Sequence, residues 1–523
     1  MSILVRDGRR LSPLRTALAL LLLGALVAAG FFVHQTWSSN RAAASTKPWF
    51  AGYVDVTATP AFAFEQPQSD AGRDIVLSFI VSDGECRPSW GGYYSMDEAA
   101  ARLDLDRRIA RLKQQEGEIA VSFGGLNNDE LATTCSDENA LARAYSDVLD
   151  RYEVTTIDFD VEGNDLADAA AGERRAKVTA QLQQDRREAG GDLAVWLTLP
   201  AATFGLTEEG TTAVAQMLDA GVDLAGVNIM TMNFGDSREK RETMGEAAIR
   251  SLQATHRQLT ALYQLAEQEL SAATLWRKLG ATPMIGQNDI PTEALSLEDA
   301  ADLNQFATEQ GVGRMSMWSL NRDVECGPNY VDVTRVSDAC SGVPQDGERF
   351  ADALADGFDG RLALAAGHVT KQEPRDPADF VDDPETSPYP IWSEDASYLK
   401  GTKVVWHRNV YEAKWWTSGD LPDSPVLNEW ETPWTLIGPV LENERPLPVP
   451  TLPPGTYPEW GGLETYDKGD RVLFEGSPYQ AKWWNQGESP EASHSDPDGS
   501  PWTALDIEDI QEELDGEGTP AEE

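Results

Sequence analysis

Residues 154–163 read VTTIDFDVEG, and this stretch decides both the fold and the chemistry that the sequence predicts. Its apolar residues alternate with polar ones, which is typical of a β-strand with two different faces. Asp158, Asp160 and Glu162 then share one side, because side chains two residues apart point the same way. Three neighbouring carboxylates in a partly dry site cannot all ionise freely, so we expect one to hold a proton near neutral pH. Such a carboxyl group is what general acid catalysis requires.

Seven further runs of strand length accompany this one, and helical patterns separate most of them. The eight runs cover residues 50–57, 75–82, 118–125, 154–162, 193–200, 225–234, 279–289 and 313–323. Amphipathic helical spacing covers 96–115, 138–152, 173–188, 246–265 and 297–309, and 350–358 reads as a closing helix. Eight strands that alternate with helices predict an α/β fold, a parallel (β/α)8 TIM barrel over 48–360. The first crossover, 58–73, is too short and irregular for a full helix.

The C-terminal part contains a repeat with an offset of 68 residues. Tyr411, Trp415, Trp416 and Trp434 recur as Tyr479, Trp483, Trp484 and Trp502. We therefore predict two small β-rich modules over 389–436 and 457–505. A linker over 361–388 precedes them, a Pro-rich linker over 437–456 joins them, and an acidic tail over 506–523 follows. Modules of this size cannot wholly bury so many tryptophans, so we expect some rings to face water, where they suit the apolar faces of sugars.

The N-terminal segment, residues 1–47, indicates export. Four arginines precede Ala17–Val33, a run without any charge or amide. A run of this length lies between a secretory signal and a membrane-spanning helix, so cleavage near Ala42–Ala44 and an uncleaved anchor both stay open. In either case the preceding arginines place the rest of the chain outside the cytoplasm. We expect an extracellular protein whose only contact with a membrane is residues 17–33.

Charge and composition exclude several classes of function. Lys and Arg total 42 against 87 Asp and Glu, so the net charge is −45, and we expect no nucleic-acid partner. The five histidines are scattered and no phosphate-loop motif occurs, so we expect neither a metal nor a cofactor. An EF-hand calcium loop beginning at Asp158 would need glutamate at Ala169. We expect the chain to act as a monomer.

The four cysteines predict two disulfides in an exported chain. Three pairings are compatible with the sequence. We predict that Cys86 pairs with Cys135 and that Cys326 pairs with Cys340, the second pair closing a short loop.

Residues 155–162 resemble the DxxDxDxE signature of glycoside hydrolase family 18, the chitinases. Three more segments are similar to motifs of the family on its third, sixth and eighth strands, namely SFGG at 122–125, MTMN at 230–233 and MWSLNRD at 317–323. The resemblance covers residues 49 to 358. Each C-terminal repeat resembles the chitin-binding modules of carbohydrate-binding families 5 and 12.

The resemblance implies a retaining mechanism in which the substrate's own acetamido group is the nucleophile. Glu162 is then the acid and the base, Asp160 orients the acetamido group, and Asp158 shares a proton with Asp160. The predicted substrate-binding residues are Tyr53, Met230, Asn233, Gln287 and Trp318. The predicted chitin contacts of the modules are Tyr411, Trp415, Trp416, Tyr479, Trp483 and Trp484.

Three residues depart from the family's pattern. Thr155 replaces the first aspartate of the signature, and Met232 and Asn233 replace a tyrosine and an acid on the sixth strand. The hydroxyl that holds the acetamido oxygen in the family is therefore not identifiable. We expect an endo-acting chitinase, with chitin or another N-acetylglucosamine polysaccharide as its partner. Two alternatives stay open: an endo-β-N-acetylglucosaminidase acting on other glycans or peptidoglycan, and a non-catalytic chitin-binding lectin.

Overall fold

The computed structural model describes residues 47–362 except 269, 381–441 except 385, 386 and 395, residue 452, 455–505 except 475, 476, 491, 492 and 494–498, and 509–510. The predicted export segment 17–33 and most of the predicted linkers and tail lie outside these residues. Within the described ranges, no helix is both long enough and apolar enough to cross a membrane. Two compact units are present, one made of the described residues up to His256 and from Ala272 to Leu362, the other of Arg257–Ser271 and the described residues from 381 onward.

The first unit contains a closed parallel barrel of eight strands, as the apolar runs predict. The barrel strands are Trp49–Phe50 with Gly52–Asp55, Ile75–Ser82, Ile119–Gly124, Thr156–Asp160, Ala194–Ala202, Leu224–Met230, Leu279–Thr282 and Arg314–Met315. The first strand is interrupted at Ala51. Its first part pairs with the eighth strand and its second part with the second strand, which closes the barrel. Three short antiparallel strands, Pro88–Trp90, Tyr94–Ser95 and Gly205–Leu206, extend the sheet at two loops.

Helices connect most of the barrel strands. They span Met96–Arg102, Leu105–Lys113, Leu131–Thr134, Glu138–Tyr152, Gly163–Ala167, Ala169–Glu188, Glu208–Asp219, Met244–Leu265, Ala272–Arg277, Leu297–Gln310 and Phe350–Ala355. The predicted helix 96–115 is two helices, because Asp104 adopts a left-handed conformation with φ 52°. The first crossover contains only a 3-10 turn, Asp70–Gly72, in agreement with its irregular sequence. Further 3-10 turns occur at Gly235–Ser237 and Leu320–Arg322.

Both disulfides pair as predicted. Cys86 is bonded to Cys135, and Cys326 is bonded to Cys340. The first bond joins the loop after the second strand to the end of the helix Leu131–Thr134. The second bond closes part of the loop that follows the eighth strand. Both therefore lie on loops at the carboxyl ends of barrel strands.

The second unit contains two small β-folds that repeat each other strand for strand. The first has the strands Ser397–Tyr398, Lys403–Trp406, Asn409–Ala413, Thr417–Ser418 and Trp434–Pro439, with a 3-10 turn at Glu429–Glu431. The second has the strands Thr465–Tyr466, Arg471–Phe474, Ser477–Ala481, Asn485–Gln486 and Trp502–Ala504. Each strand begins 68 residues after its counterpart, and both folds pair their strands in the same antiparallel order. The repeat in the sequence is thus a repeat in structure, while the exact module boundaries stay predictions.

A buried ion pair between Arg175 and Glu130 is linked to the segment that follows the fourth barrel strand. The Nε of Arg175 is 3.0 Å from the Oε2 of Glu130, and both side chains are almost fully buried. Tyr145 donates its hydroxyl to the Oε1 of the same glutamate over 2.6 Å. The backbone N–H of Glu130 donates to Asp165, three residues after Glu162. This network therefore connects the helices Glu138–Tyr152 and Ala169–Glu188 to the segment that carries the predicted catalytic acid.

Replacing Arg175 with methionine should destabilise the barrel strongly. The change leaves Glu130 as a buried charge without its cation, which typically costs about 3–5 kcal/mol in free energy of unfolding. Arg186→Met is the matched control, because the pair of Arg186 with Asp150 is solvent-exposed and worth about 0–1 kcal/mol. Urea unfolding followed by circular dichroism measures both. Equal losses in the free energy of unfolding for the two variants would show that the buried pair contributes no more to stability than the exposed pair.

Candidate active site

The three predicted carboxyl groups, Asp158, Asp160 and Glu162, here called the carboxylate ladder, lie where the fourth barrel strand ends. Asp158 and Asp160 are buried on the strand Thr156–Asp160, and Glu162 is half-buried just before the helix Gly163–Ala167. Asp160 is in register with Gly124 on the third strand. A Cβ on Gly124, which has φ +104°, would lie 2.1 Å from the carbonyl oxygen of Asp160. A glycine at 124 is therefore what allows the two strands to approach each other at the site.

Asp158 accepts hydrogen bonds from four side chains on four different strands. Its Oδ2 accepts from the hydroxyls of Tyr53 and Ser122, both over 2.7 Å. Its Oδ1 accepts from the hydroxyl of Thr198 and from the Nη1 of Arg314, both over 2.6 Å. Asp158 and Arg314 are each only 1 % exposed, so the pair is a fully buried salt bridge.

Aromatic rings surround the guanidinium of Arg314. Its central carbon lies 5.3 Å from the ring centroid of Trp49, 5.5 Å from that of Tyr53 and 5.4 Å from that of Trp196. Rings at this range attract a cation through their negative faces, and the attraction is larger where water is excluded. Arg314 thus places a buried positive charge beneath the ladder and pairs it with Asp158.

Asp160 and Glu162 lie in a setting that favours their protonated forms. Burial raises the pKa of the Asp160 carboxyl well above its usual range, and the charges of Glu162 and Asp158 raise it further while Arg314 lowers it. Burial raises the pKa of the Glu162 carboxyl to about 7, with additional contributions from the charges of Asp289 and Asp165. A hydrogen bond with Asp160 acts in the opposite direction on the pKa of Glu162. Glu162 can therefore give and take a proton near neutral pH.

The loops after the sixth and seventh strands are joined beside the ladder. Asn233 adopts a left-handed conformation with φ 52°. Its Nδ2 donates to Asp289 over 2.8 Å, and its Oδ1 accepts from the backbone N–H of the same residue over 3.0 Å. Glu293 accepts from the backbone N–H groups of Phe234 and Gly235. These bonds hold Asp289, the exposed carboxylate whose charge acts on Glu162, on a defined loop.

Trp318 lies in an aromatic cluster at the end of the eighth strand. Its ring stacks on Phe79 with centroids 5.5 Å apart, and it lies 6.1 Å from the ring of Tyr53. Trp318 is partly exposed, whereas Tyr53 is buried. A supported, partly open ring of this kind can stack on the apolar face of a sugar.

The other predicted substrate-binding residues have mixed positions. Tyr53 is buried beneath the ladder, and its hydroxyl donates to Asp158, so its side chain supports that carboxylate. The side-chain amide of Gln287 donates to the backbone carbonyls of Asn288 and Glu293 and is buried, so it organises the loop. Met230 is buried at the end of the sixth strand. A contact of these residues with substrate stays a prediction.

Sequence reasoning missed Arg314, Thr198 and Asp289 as parts of the site. Arg314 carried a usable signal, because a charge within a predicted barrel strand must find a buried partner. Thr198 likewise is a polar residue inside an apolar run. Asp289 had no such signal, since its relation to Glu162 depends on the path of a loop.

The tryptophan pairs of the modules lie just after a strand, so both rings of a pair can face water. Trp415 is 45 % exposed, Trp483 is 43 % exposed and Trp484 is 59 % exposed, while Trp416 is partly exposed. Tyr411 and Tyr479 were predicted as chitin contacts, but both are buried in the cores of their modules. A contact of these two tyrosines with chitin stays a prediction.

Comparisons with known proteins agree with the predicted resemblance. The catalytic domain of a hyperthermophilic chitinase from Pyrococcus furiosus is 27 % identical to this chain, with a TM-score of 0.50 over 62 % of this chain and 97 % of that domain. The barrel is similar to the catalytic domain of chitinases. A "Probable bifunctional chitinase/lysozyme" of Escherichia coli strain K12 is 33 % identical over 312 residues, which are 57 % of this chain and 34 % of that protein. "Endochitinase 11" of Metarhizium anisopliae is 31 % identical over 304 residues, or 56 % of each chain.

Residues 459–503 match the family model of carbohydrate-binding module family 5/12. The match falls on the second module, and the first module has the same strand order and an equivalent core. The chain spans about a third and about half, respectively, of the two curated relatives that its chitinase-like barrel matches.

The pH dependence of this site should follow Glu162. A general acid must carry its proton, so kcat/KM on a glycoside substrate should fall above pH about 7, the pKa of Glu162, by roughly tenfold per pH unit. Asp289→Asn removes a negative charge that raises this pKa, so the alkaline limb should move to lower pH. The shift should be a fraction of a pH unit, because solvent and salt screen the exposed Asp289.

Asp185→Asn, on the outer helix Ala169–Glu188, is the control and should leave the pH profile in place. An alkaline limb that does not respond to Asp289→Asn, or that responds equally to both changes, would contradict the assignment of this limb to Glu162.

Proposed function

We propose that this protein is a chitinase that hydrolyses β-1,4-linked N-acetylglucosamine polymers with retention of configuration. One observation carries the proposal: a half-buried Glu162 whose pKa is raised to about 7 follows Asp158 and Asp160 at the carboxyl end of a barrel strand. Active sites of such barrels lie at this end of the strands. The similarity of the barrel to chitinases supports the choice of substrate.

In the proposed reaction, Glu162 first acts as an acid. It donates its proton to the glycosidic oxygen while the carbonyl oxygen of the substrate's acetamido group attacks the anomeric carbon, which displaces the leaving sugar. Asp160 hydrogen-bonds the acetamido group as it becomes an oxazolinium ion. Glu162, now a carboxylate, then takes a proton from the water that opens this ion, and the site returns to its starting state. The partly exposed ring of Trp318 supports a sugar during both steps.

The two modules serve in this proposal to hold the enzyme on solid chitin. Their exposed tryptophans can stack on sugar rings without any charge on the ligand, so an acidic protein can still bind a neutral polymer. Two weak binding modules on one chain raise the residence time through effective concentration. Because solid chitin lies outside cells, we place the protein in an extracellular setting, secreted or held at the outer face of the membrane by residues 17–33.

Glu162→Gln should keep the fold and lower turnover of N-acetylglucosamine oligomers by roughly 10²–10⁴-fold, the usual contribution of general acid–base catalysis. Glutamine has almost the same shape but cannot give up a proton. Hydrolysis followed by NMR of the product anomers measures both rate and stereochemistry. Glu153→Gln, an exposed residue before the same strand, is the matched control and should hydrolyse at the normal rate with β-products.

The same assay separates the alternatives. Near-normal turnover by Glu162→Gln would show that the acid is another residue. No turnover by the wild type, together with retained binding to solid chitin, would support a lectin. The name of the Escherichia coli relative combines chitinase with lysozyme, so peptidoglycan belongs among the substrates tested. A preference for it would support the second enzymatic alternative.

Replacing Trp415 and Trp483 together with alanine should lower the ratio of activity on solid chitin to activity on soluble oligomers by roughly tenfold or more. The reason is that both changes remove exposed rings from the modules. Sedimentation of the protein with chitin particles measures the loss of binding directly. Leu436→Ala, which removes another exposed apolar side chain of the first module, is the control. An equal loss on solid and soluble substrates would refute the targeting role.

A further inference from the structure

The four hydrogen bonds to Asp158 occupy both of its oxygens. Each oxygen accepts two bonds of 2.6–2.7 Å, one pair from Tyr53 and Ser122 and the other from Thr198 and Arg314. An ionised carboxylate has about four lone-pair positions for such donors. A proton on Oδ1 would meet the guanidinium of Arg314, which can only donate, and a proton on Oδ2 would require the hydroxyl of Tyr53 or Ser122 to turn and accept it. The geometry therefore matches an ionised Asp158.

All three side-chain nitrogens of Arg314 donate hydrogen bonds within this arrangement. Its Nη1 donates to Asp158 over 2.6 Å, its Nη2 to the hydroxyl of Tyr53 over 3.0 Å, and its Nε to Ser316 over 2.9 Å. A guanidinium cannot lose its proton in a protein. A buried cation needs a partner anion, and Asp158 is the carboxylate that pairs with it.

Asp160 is in a different situation, although it is only two residues away. Its Oδ1 is buried and has no hydrogen-bond partner within the described part of the chain. Its neighbours along the strand are the carboxylates of Asp158 and Glu162. A carboxyl oxygen that is buried without a donor is suited to carry a proton or to meet a polar group of a ligand.

We propose that Arg314 is a positioning residue that keeps Asp158 ionised through the whole reaction, so that Asp160 and Glu162, and never Asp158, carry the proton of the ladder. This inference rests on the proposed function and deepens it. It replaces the proton sharing between Asp158 and Asp160 that the family resemblance implies. The protons balance over the reaction, because Glu162 loses one proton to the leaving sugar and regains one from water. Asp158 neither gains nor loses a proton.

The charged and titratable groups around Asp160 determine which variants should shift the pH profile. They are Asp158 and Glu162 on its own strand and loop, Tyr53 on the first strand and Arg314 on the eighth. Asp158→Asn leaves Arg314 without its anion, so an extra positive charge faces Asp160 and Glu162. That charge favours their deprotonated forms, and both limbs of the pH profile of kcat/KM should move to lower pH. Arg314→Met in the same chain removes the extra charge, and the profile should return.

The experiment is a double-mutant cycle in the full chain, with oligomer hydrolysis measured from acidic to alkaline pH. Asp158→Asn should lose most activity at neutral pH, and Asp158→Asn with Arg314→Met should regain roughly tenfold or more of it. Ser122→Ala removes a neutral donor to Asp158 without changing the charge, so its profile should keep its position. A purely structural role for Arg314 would alter thermal unfolding but not the position of the profile.

Two outcomes would overturn the inference. One is a double variant no more active than Asp158→Asn, because loss of a proton-sharing partner cannot be rescued by removing a cation. The other is a profile that Asp158→Asn leaves in place. An infrared measurement of protonated carboxyl groups tests the same point without turnover: Asp160→Asn should remove a band that the double variant keeps. A wild type without activity would refute the proposed function, while this band would still report on the inference.

Discussion

The structure depends on one buried carboxylate. Asp158 receives hydrogen bonds from Tyr53 on the first strand, Ser122 on the third, Thr198 on the fifth and Arg314 on the eighth. These residues are between 36 and 156 positions away in the chain. A buried charge tolerates few alternative arrangements, because a lost partner leaves it without compensation in a dry interior. The ladder is therefore positioned by the barrel as a whole and not by its own strand.

Local patterns predicted the elements well because the information lies within each segment. The helix Glu138–Tyr152 has the predicted bounds, and each of the eight apolar runs overlaps a barrel strand. The helix predicted over 96–115 was wrong in being continuous, since its break at Asp104 depends on the backbone of one residue. The 68-residue repeat predicted two equivalent folds, and the strands follow it without exception.

The contacts between distant strands that set the electrostatics of the site were not predictable in this way. Whether Arg314 meets Asp158 depends on the registers of strands that are far apart in the sequence, and a single sequence does not contain the registers. The burial of Tyr411 and Tyr479 was not predictable either, because the alternation of a short strand does not say which of its faces is covered. A module of this size buries its tyrosines in the core and leaves the tryptophans after the strand exposed.

The ladder combines three environments on residues that are only two positions apart. Asp158 is buried and paired with a cation, Asp160 is buried with one oxygen that lacks a hydrogen-bond donor within the described residues, and Glu162 is half-buried just after the strand. The same strand therefore carries a carboxylate paired with a buried cation, a buried carboxyl group whose pKa is raised, and a half-buried carboxyl group whose pKa is raised to about 7. Side chains of the same chemistry meet three different environments because the barrel changes the solvation along the strand. Perturbed carboxyl groups that face a cleft are typical of catalytic sites, whereas solvated acids at a strand end would keep their ordinary pKa values.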